Sequence, residues 1–339
     1  MTSVVGLDLG SNSIKGVEIE SKRNKKILKS YSIGKSLPVS LNSSQVLDTT
    51  AIVEHLKEFY RESHFSTLSV NVTLSEEKVF TRVVTLPGMS PKEVGKAIKW
   101  EAQQYIPMEI EDVNFDYQII EDTKDALKVL LVAAPKEAVT KIINIVKQAG
   151  LEPLGIETTI QALSHLRQLK ESGGASLVLS FSSNTTDLGV IQAGLVRFTR
   201  SLPLGGDTLA RSISEGLNIP LSQAEEYKKS YGLDDEKLEG KITKASAPIL
   251  NMLVSEVRRS VDFYLSRGYG SGIERLFLSG GTANLPGITS YLAGKLGFEV
   301  VLVDPLSGLI LSDKVKDEDL DNLGPSLALS VGLALGKYE

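Results

Sequence analysis

One short pattern occurs twice in the chain and constrains its fold more than any other feature. An apolar strand leads into a turn of serine, asparagine and a hydroxyl residue, and a second strand follows, at Asp8 to Ser13 and again at Ser180 to Thr185. Each copy opens a run of three predicted strands. Because a recurring supersecondary unit indicates duplication, the sequence predicts an α/β protein with two related lobes, each a strand meander followed by a helix.

The first turn carries side chains suited to phosphate. Gly10 allows the backbone to approach ligand oxygens, and successive amides can form an anion-binding nest. Lys15 can neutralise charge, and Asp8 can hold Mg²⁺ through its water shell. The remaining donors belong to the turn itself, namely Ser11, Asn12 and Ser13. Taken alone, this segment is also compatible with a plain β-hairpin.

The second copy makes a ligand site the better interpretation. Ser183, Asn184 and Thr185 form its turn, and Asp187 follows on the returning strand. With one such turn in each lobe, the two would face each other across a cleft and bind a triphosphate from both sides.

A third element follows a strand near the end of the chain. Gly280 and Gly281 follow the apolar run that ends at Leu278, separated from it by Ser279, and Asn284 lies three residues further on. Adjacent glycines allow a flat base to lie against the backbone, and the next helix directs its N-terminus toward phosphate. An ordinary strand-to-helix turn is the alternative.

Between the two copies lies a separate α/β segment. Alternating apolar residues predict strands, and Ser90, Pro91 and Glu93 form the capping box of a helix that runs to Tyr105. The predicted division of the chain is a first-lobe core, an α/β insert, a linker with a connecting helix, and a second lobe whose final helix, 324–337, returns to the first lobe. These four parts cover 1–66, 67–152, 153–175 and 176–339.

Composition excludes several kinds of protein. The 339 residues include no cysteine, so disulfides, thiolate zinc sites and a cysteine nucleophile are ruled out. The three histidines, His55, His64 and His165, lack metal-ligand spacing. A net charge of −5 argues against nucleic acid as a partner. No apolar run is long enough for a membrane span, so we expect a cytoplasmic protein.

The order of these motifs resembles the two phosphate motifs and the adenosine motif of the actin/Hsp70/sugar-kinase superfamily. Within this superfamily, the insert makes the resemblance more specific: the chain resembles the FtsA-like type IV pilus assembly PilM family. The segments that carry it are Val83–Met89, Ala97–Pro107, Asp116–Gln118, Asn184–Leu188 and Phe198–Asp207. The resemblance extends over nearly the whole chain.

This resemblance implies a two-lobed actin/Hsp70-like ATPase fold with a small, SHS2-like insert in the first lobe. It implies ATP or ADP with Mg²⁺ as cofactors, and a function as a cytoplasmic adaptor at the inner membrane. The implied partner is the cytoplasmic N-terminal tail of a PilN-like membrane protein, held between the first subdomain and the insert. Other pilus platform proteins and the motor are further implied partners, through which the protein would be peripheral to the membrane.

The resemblance also assigns residues. Asp8 would serve Mg²⁺, and both turns would bind the phosphates, with Gly205 and Gly206 nearby. Glu225 and Lys228, on a helix predicted over 221–231, match a pair that contacts the ribose. An exposed surface ion pair is the alternative for these two. The adenosine would contact Gly280, Gly281 and Asn284.

Four residues at the end of the insert helix are candidates for the partner groove. They are Trp100, Tyr105, Ile106 and Pro107. The alternative is that they pack the helix on its sheet.

The second turn departs from the family pattern, because Ser180 and Ser182 stand where Asp-x-Gly is usual. A carboxylate that would order Mg²⁺ and its waters is missing, so we expect ATP binding with little or no hydrolysis. An FtsA-like polymerising ATPase is one alternative, although the C-terminal segment is typical of a core helix. A small-molecule kinase is the other, but no carboxylate general base stands out.

Overall fold

The structure is a computed structural model that describes residues 2–23, 25–38, 49–267, 272–313, 315, 320 and 323–336. Its strands are β1 Thr2–Leu9, β2 Ser13–Lys22, β3 Lys25–Lys35, β4 Ser69–Leu74, β5 Phe80–Pro87, β6 Val113–Asp122, β7 Ala126–Pro135, β8 Glu152–Thr158, β9 Ala175–Phe181, β10 Thr186–Gln192, β11 Leu195–Leu202, β12 Ile273–Ser279, β13 Glu299–Leu302 and β14 Ile310–Leu311. Its α-helices are α1 Thr49–Ser63, α2 Pro91–Tyr105, α3 Lys136–Gln148, α4 Thr159–Ser164, α5 Arg167–Lys170, α6 Gly206–Leu217, α7 Leu221–Tyr231, α8 Lys241–Ser266, α9 Ile288–Leu296 and α10 Gly324–Gly336.

Two sheets form the two lobes and share one topology. The first has the strand order β14-β3-β2-β1-β4-β8, and the second has the order β11-β10-β9-β12-β13. In both, a three-stranded antiparallel meander is extended by two parallel strands. The internal repeat therefore covers five strands of each lobe, more than the three that the sequence predicted.

The central strand of the second lobe illustrates why these segments form strands. Every residue of β9 is buried, as is usual for a strand with both faces covered. One face packs into the second-lobe core through Leu177 and Leu179. The other face, with Val178, packs into a core that joins the lobes. The strand ends at Phe181, where the second turn begins.

A third, smaller sheet, β5-β7-β6, forms the insert. Helix α2 covers one face, with Val94, Ile98 and Ala102 in the insert core. The opposite face packs through Leu130 and Ile120 against the second lobe and α4. Strands β6 and β7 also lie against α3, which packs into the first-lobe core, so the insert contacts both lobes.

The insert is smaller than the sequence indicated. The small sheet and its helix occupy 80–135, whereas the predicted insert was 67–152. Strand β4 lies in the first-lobe sheet, and α3 packs into that lobe's core through Ile142 and Val146. The predicted linker, 153–175, contributes most of β8 to the same sheet. These strands pair with partners distant in sequence, which local patterns do not reveal.

The final helix, α10, packs on β1 and β2 of the first lobe. The Asn71 side chain donates to the Leu333 carbonyl over 2.8 Å. A Cβ atom on Gly6 would lie 1.9 Å from the Ser330 carbonyl oxygen, so glycine at this position permits the close approach. In the described residues, every helix is too short or too polar to span a lipid bilayer.

Candidate functional site

The first turn lies between β1 and β2 at the cleft. Asp8 and Lys15 face each other across these strands, and Lys15 Nζ lies 3.3 Å from Asp8 Oδ2. Both side chains are largely buried, with 13% and 16% exposed. Gly10 packs against the Ser13 carbonyl, where a Cβ would approach to 2.7 Å. The turn is therefore tight, and the ion pair lies at its base.

The second turn, 182–185, is held by the start of α6. The N–H groups of Gly206 and Asp207 donate to the carbonyls of Ser182 and Ser183 over 2.9 and 2.8 Å. A Cβ atom on Gly205 would lie 2.1 Å from the Ser183 carbonyl oxygen. Glycine at 205 thus lets the helix N-terminus reach the turn, where its dipole favours anions.

The two turns meet. Ser11 Oγ and Ser183 Oγ are 2.8 Å apart, within hydrogen-bonding distance. The Asn12 side-chain amide lies 3.5 Å from Asp207 Oδ1. The predicted arrangement of turns facing each other across a cleft is thus present in the geometry.

The third turn follows β12. Gly280 has φ of +92° and donates its N–H to the Pro325 carbonyl at the start of α10. A Cβ there would meet the Phe181 backbone at 2.5 Å. The Thr282 hydroxyl donates to the Ser182 carbonyl over 3.0 Å. The third turn is therefore fixed directly to the second.

A cavity of about 700 Å³ opens between the three turns. Gly205 and Gly280 do not line it; their backbones pack behind it. The other predicted ligand residues all line it, namely Asp8, Gly10, Ser11, Asn12, Ser13, Lys15, Ser183, Asn184, Thr185, Asp187, Gly206, Glu225, Lys228, Gly281 and Asn284. A volume of this size is typical of small-molecule sites.

Glu225 and Lys228 lie on α7 at the cavity wall. Lys228 is 8% exposed, and its Nζ donates to Glu225 Oε1 and to the Gly206 carbonyl over 2.7 and 2.8 Å. The geometry is therefore not that of an exposed surface ion pair. The lysine joins α7 to the first residue of α6.

Asp187 is the buried carboxylate of the second lobe. It is 5% exposed and lies on β10, opposite Ser180. The Ser201 hydroxyl donates to its Oδ1 over 2.6 Å. Burial raises the pKa of the Asp187 carboxyl, and the hydrogen bonds to Ser201 and Thr159 oppose that shift.

Some lining residues were not predicted. Asp207 is the last residue of a segment that carries the family resemblance, and Thr282 lies between Gly281 and Asn284. Both positions are therefore close in sequence to residues that were predicted. Thr159 follows β8, a strand that the sequence did not reveal. A lateral part of the cavity, from the first lobe and α3, is apolar with two lysines: Ile33, Leu37, Lys78, Ala138, Lys141 and Ile142.

The four candidate partner residues do not line this cavity. Trp100 is 75% exposed on α2, and Pro107 is also exposed. Ile106 is buried in the insert core. The Arg82 guanidinium lies over the ring of the half-buried Tyr105 at 3.9 Å. The packing role therefore applies to Ile106, whereas Trp100 is available to a partner.

The cleft residues fit a magnesium nucleotide. Hydroxyl and amide donors from both lobes meet where phosphates would lie, and Lys15 and Lys228 add positive charge. The Asp8 carboxylate lines the same space and is able to bind Mg²⁺ through water. Among the described residues, no cluster of three or more His, Asp or Glu side chains forms a direct metal site.

Comparison with known proteins identifies the fold to which this site belongs. The ethanolamine utilization protein EutJ of Escherichia coli (strain K12) is 27% identical over 146 residues, 43% of this chain and 46% of that protein. The chain thus spans about half the length of the curated relatives it matches. The structure of MreB5 of Spiroplasma citri bound to AMPPNP is 13% identical, with a TM-score of 0.55 over 98% of this chain and 95% of that one. The fold is therefore that of the actin-like ATPases.

A solved PilM-PilN type IV pilus biogenesis complex is more similar. It superposes with a TM-score of 0.86 at 29% identity, covering 99% of this chain and 98% of that one. The family model described as type IV pilus assembly protein PilM matches residues 6–338. With nearly every residue matched, the chain belongs to the type IV pilus assembly protein PilM family.

Proposed function

We propose that this protein is an ATP-binding adaptor of the type IV pilus inner-membrane platform. It binds the cytoplasmic N-terminal tail of a PilN-like membrane protein and is peripheral to the membrane through that partner. The observation that carries the proposal is the similarity over 99% of the chain to one protein of the PilM-PilN complex. Other platform proteins and the motor are further proposed partners.

Nucleotide binding is supported by the convergence of three turns on one cavity. Ser11 and Ser183 bring hydroxyl donors from opposite lobes to within 2.8 Å of each other. Lys228 supplies a buried charge beside the N-terminus of α6. Polyphosphate is the ligand chemistry that such backbone amides, hydroxyls and lysines recognise. We propose ATP or ADP, with Mg²⁺ held through water at Asp8.

Hydrolysis is proposed to be weak or absent. Ser180 stands at the position of the usual second carboxylate and is buried beside Asp187. Four carboxylates line the cavity, and each has a polar partner: Asp8 pairs with Lys15, Asp187 with Ser201, Asp207 with Asn12 and Glu225 with Lys228. Each of these contacts stabilises the anion and so weakens the carboxylate as a general base for an attacking water.

The lateral part of the cavity supports tail binding. Ile33, Leu37 and Ala138 offer an apolar wall within the first lobe, formed by β3, the residues that follow it and α3. Since this wall is continuous with the phosphate turns, the tail and the nucleotide would occupy neighbouring parts of one cleft.

Calorimetry with a synthetic tail peptide of the cognate PilN-like protein tests the adaptor function, with and without MgATP. We expect saturable binding to the wild type and a large loss for Ala138→Glu, which places a charge on the apolar wall. Lys244→Glu, on the exposed surface of α8, is the matched control and should bind normally. Undetectable peptide binding to the folded wild type would rule out the adaptor function.

Single-turnover assays test the hydrolysis proposal. We expect radiolabelled ATP to remain bound and intact over many minutes. Rapid release of phosphate would contradict it, whereas failure to retain any nucleotide would contradict ATP binding itself.

A further inference from the structure

A buried carboxyl group lies behind the cleft and has no part in the ligand contacts described above. Glu76 belongs to the short 3-10 turn 76–78 between β4 and β5 and is 4% exposed. Its Oε2 accepts a hydrogen bond from the backbone N–H of Ile160, in the first turn of α4, over 3.2 Å. Its Oε1 has no hydrogen-bond partner. A buried, half-satisfied carboxylate is costly, so the neutral acid is favoured here.

The neighbour of Glu76 is a second buried carboxyl group. Asp187 lines the cavity and is stabilised as an anion by the hydroxyls of Ser201 and Thr159. Two carboxyl groups in one buried site do not both ionise readily. Asp187 borders the cavity and accepts a short hydrogen bond from Ser201, so it is the one that keeps the charge. Burial, and then the charge of Asp187, raise the pKa of Glu76 to about 7, against the opposing effect of the Ile160 N–H and of the nearby Thr199 and Thr158 hydroxyls.

The charged groups on the surrounding elements do not neutralise the negative charge of Glu76 and Asp187. Within its own turn, Glu77 adds negative charge that further raises the pKa of Asp187, and Lys78 is exposed. Helix α4 has no acidic residue in its first turn and no basic residue in its last.

Strand β11 carries two arginines, and both bond to other groups. Arg197 Nη1 donates to the Ile120 carbonyl over 2.8 Å. Arg200 Nη2 lies 2.6 Å from Glu256 Oε2. Across the part of the chain that the structure describes, no ion pair joins a lysine or arginine to Glu76 or Asp187.

We propose that Glu76 is a positioning residue of the cleft: it carries one proton and limits the wall behind the second turn to a single negative charge. Glu76 does not line the cavity and acts through Asp187 and Thr159, which do. Loss of the proton places a second negative charge behind Asp187 and weakens binding of an anionic ligand. The inference rests on the proposed nucleotide function, and it makes that affinity depend on the protonation of one residue.

The test compares ADP affinity, without Mg²⁺ and by calorimetry, for the wild type and Glu76→Gln at about pH 6 and about pH 8.5. Glutamine has the shape of the neutral acid at both pH values. Near pH 6 the two affinities should agree within about twofold, and near pH 8.5 the variant should bind about tenfold more tightly. Because the protonation of ADP affects both proteins equally, its effect cancels in the ratio of the two affinities.

Glu18→Gln is the matched control. Glu18 is 1% exposed in the first-lobe sheet, accepts hydrogen bonds from Ser3, Ser30 and Ser66, and does not line the cavity. Its affinity ratio to the wild type should be the same at both pH values. A ratio for Glu76→Gln that is also independent of pH would overturn the inference.

An infrared measurement checks the proton without nucleotide. The wild type near pH 6 should show the C=O stretching band of a protonated carboxylic acid, lost near pH 8.5 and absent from Glu76→Gln. A missing band overturns the inference, whether or not the variant folds. If neither protein binds ADP, the proposed nucleotide function fails together with the effect on affinity, and the band still decides whether Glu76 holds the proton.

Discussion

Ser180 lies directly opposite Asp187 in the β9–β10 pair, at the position that Asp8 and Lys15 occupy in the β1–β2 pair. The first hairpin thus has an ion pair at its base, whereas the second has a hydroxyl beside a buried carboxylate. The two halves of the cleft have the same strand pairing but differ in the charge of the paired side chains. Substitutions at 180 therefore act on a site that already contains Asp187 and Glu76.

Ser180→Asp should destabilise the protein and not restore hydrolysis. It would add a third carboxyl group to a buried cluster, at a position that is 2% exposed. We expect a loss of about 1–3 kcal/mol in the free energy of unfolding at pH 8, and less at pH 5, where Glu76 is protonated and carries no charge. Urea denaturation at both pH values measures the loss. Ser180→Ala should be nearly neutral, and an equal loss in both variants would contradict this explanation.

Glu76→Gln should change the pH dependence of stability. The folded-state pKa of Glu76, about 7, lies above the ordinary glutamate value of 4.5, so the folded protein holds this proton more tightly than the unfolded chain. The resulting stabilisation is complete below about pH 4.5 and is lost as the pH rises to about 7. At pH 8 the variant should be more stable than the wild type by up to about 3 kcal/mol. Thermal melts showing a constant difference from pH 5 to 8 would contradict this.

Gly6→Ala should separate α10 from β1. The added Cβ would overlap the Ser330 carbonyl, and backbone cannot move aside as a flexible side chain can. We expect a loss of about 2–4 kcal/mol in the free energy of unfolding. Gly294→Ala, at an exposed position of α9 with nothing within 4 Å of the new Cβ, should instead stabilise by about 0.5–1 kcal/mol. Equal effects of the two changes would argue against the close approach as the cause.

Lys228→Met should weaken nucleotide binding. The change removes the donor to Glu225 and the Gly206 carbonyl and leaves a half-buried carboxylate without its cation. We expect a loss of affinity of about tenfold or more. Calorimetry with MgADP measures it. The exposed Lys244→Met is the control, and a similar loss there would show a general effect of charge.

Trp100 and Ile106 should behave differently when truncated. Ile106→Ala removes a core side chain that is 5% exposed and should cost about 2–4 kcal/mol. Trp100→Ala should leave stability within about 0.5 kcal/mol. If Trp100 contacts the partner tail, its loss lowers tail affinity at least tenfold, whereas Leu221→Ala, a truncation of another exposed apolar side chain, does not. Unchanged tail affinity in Trp100→Ala would exclude the tryptophan from the groove.

Local patterns in the sequence predicted much of this fold. Helix α7 has the predicted bounds, Leu221–Tyr231. The capping box of α2 is present, since Glu93 Oε2 accepts hydrogen bonds from the N–H and hydroxyl of Ser90. Both features depend on residues close in sequence. The family resemblance then supplied the actin-like architecture, which the comparisons confirm.

Several features that depend on distant contacts were not predicted. Strand β8 contains Pro153 and Gly155, residues that are more typical of a linker than of a strand. Its partner strand, β4, is separated from it in sequence by the whole insert. Glu76 reads as an ordinary surface glutamate beside Glu77, and its burial results from α4 and the second lobe.

The docking of α10 on β1 also has a consequence for biosynthesis. Because Gly6 packs against Ser330 and Asn71 bonds to Leu333, the first lobe is incomplete until the last helix has left the ribosome. The second lobe has its whole sheet earlier, since β9 to β13 all precede α10. The lobe that begins the chain is therefore expected to be the last to mature, and a chain truncated before α10 would leave an apolar surface exposed to chaperones.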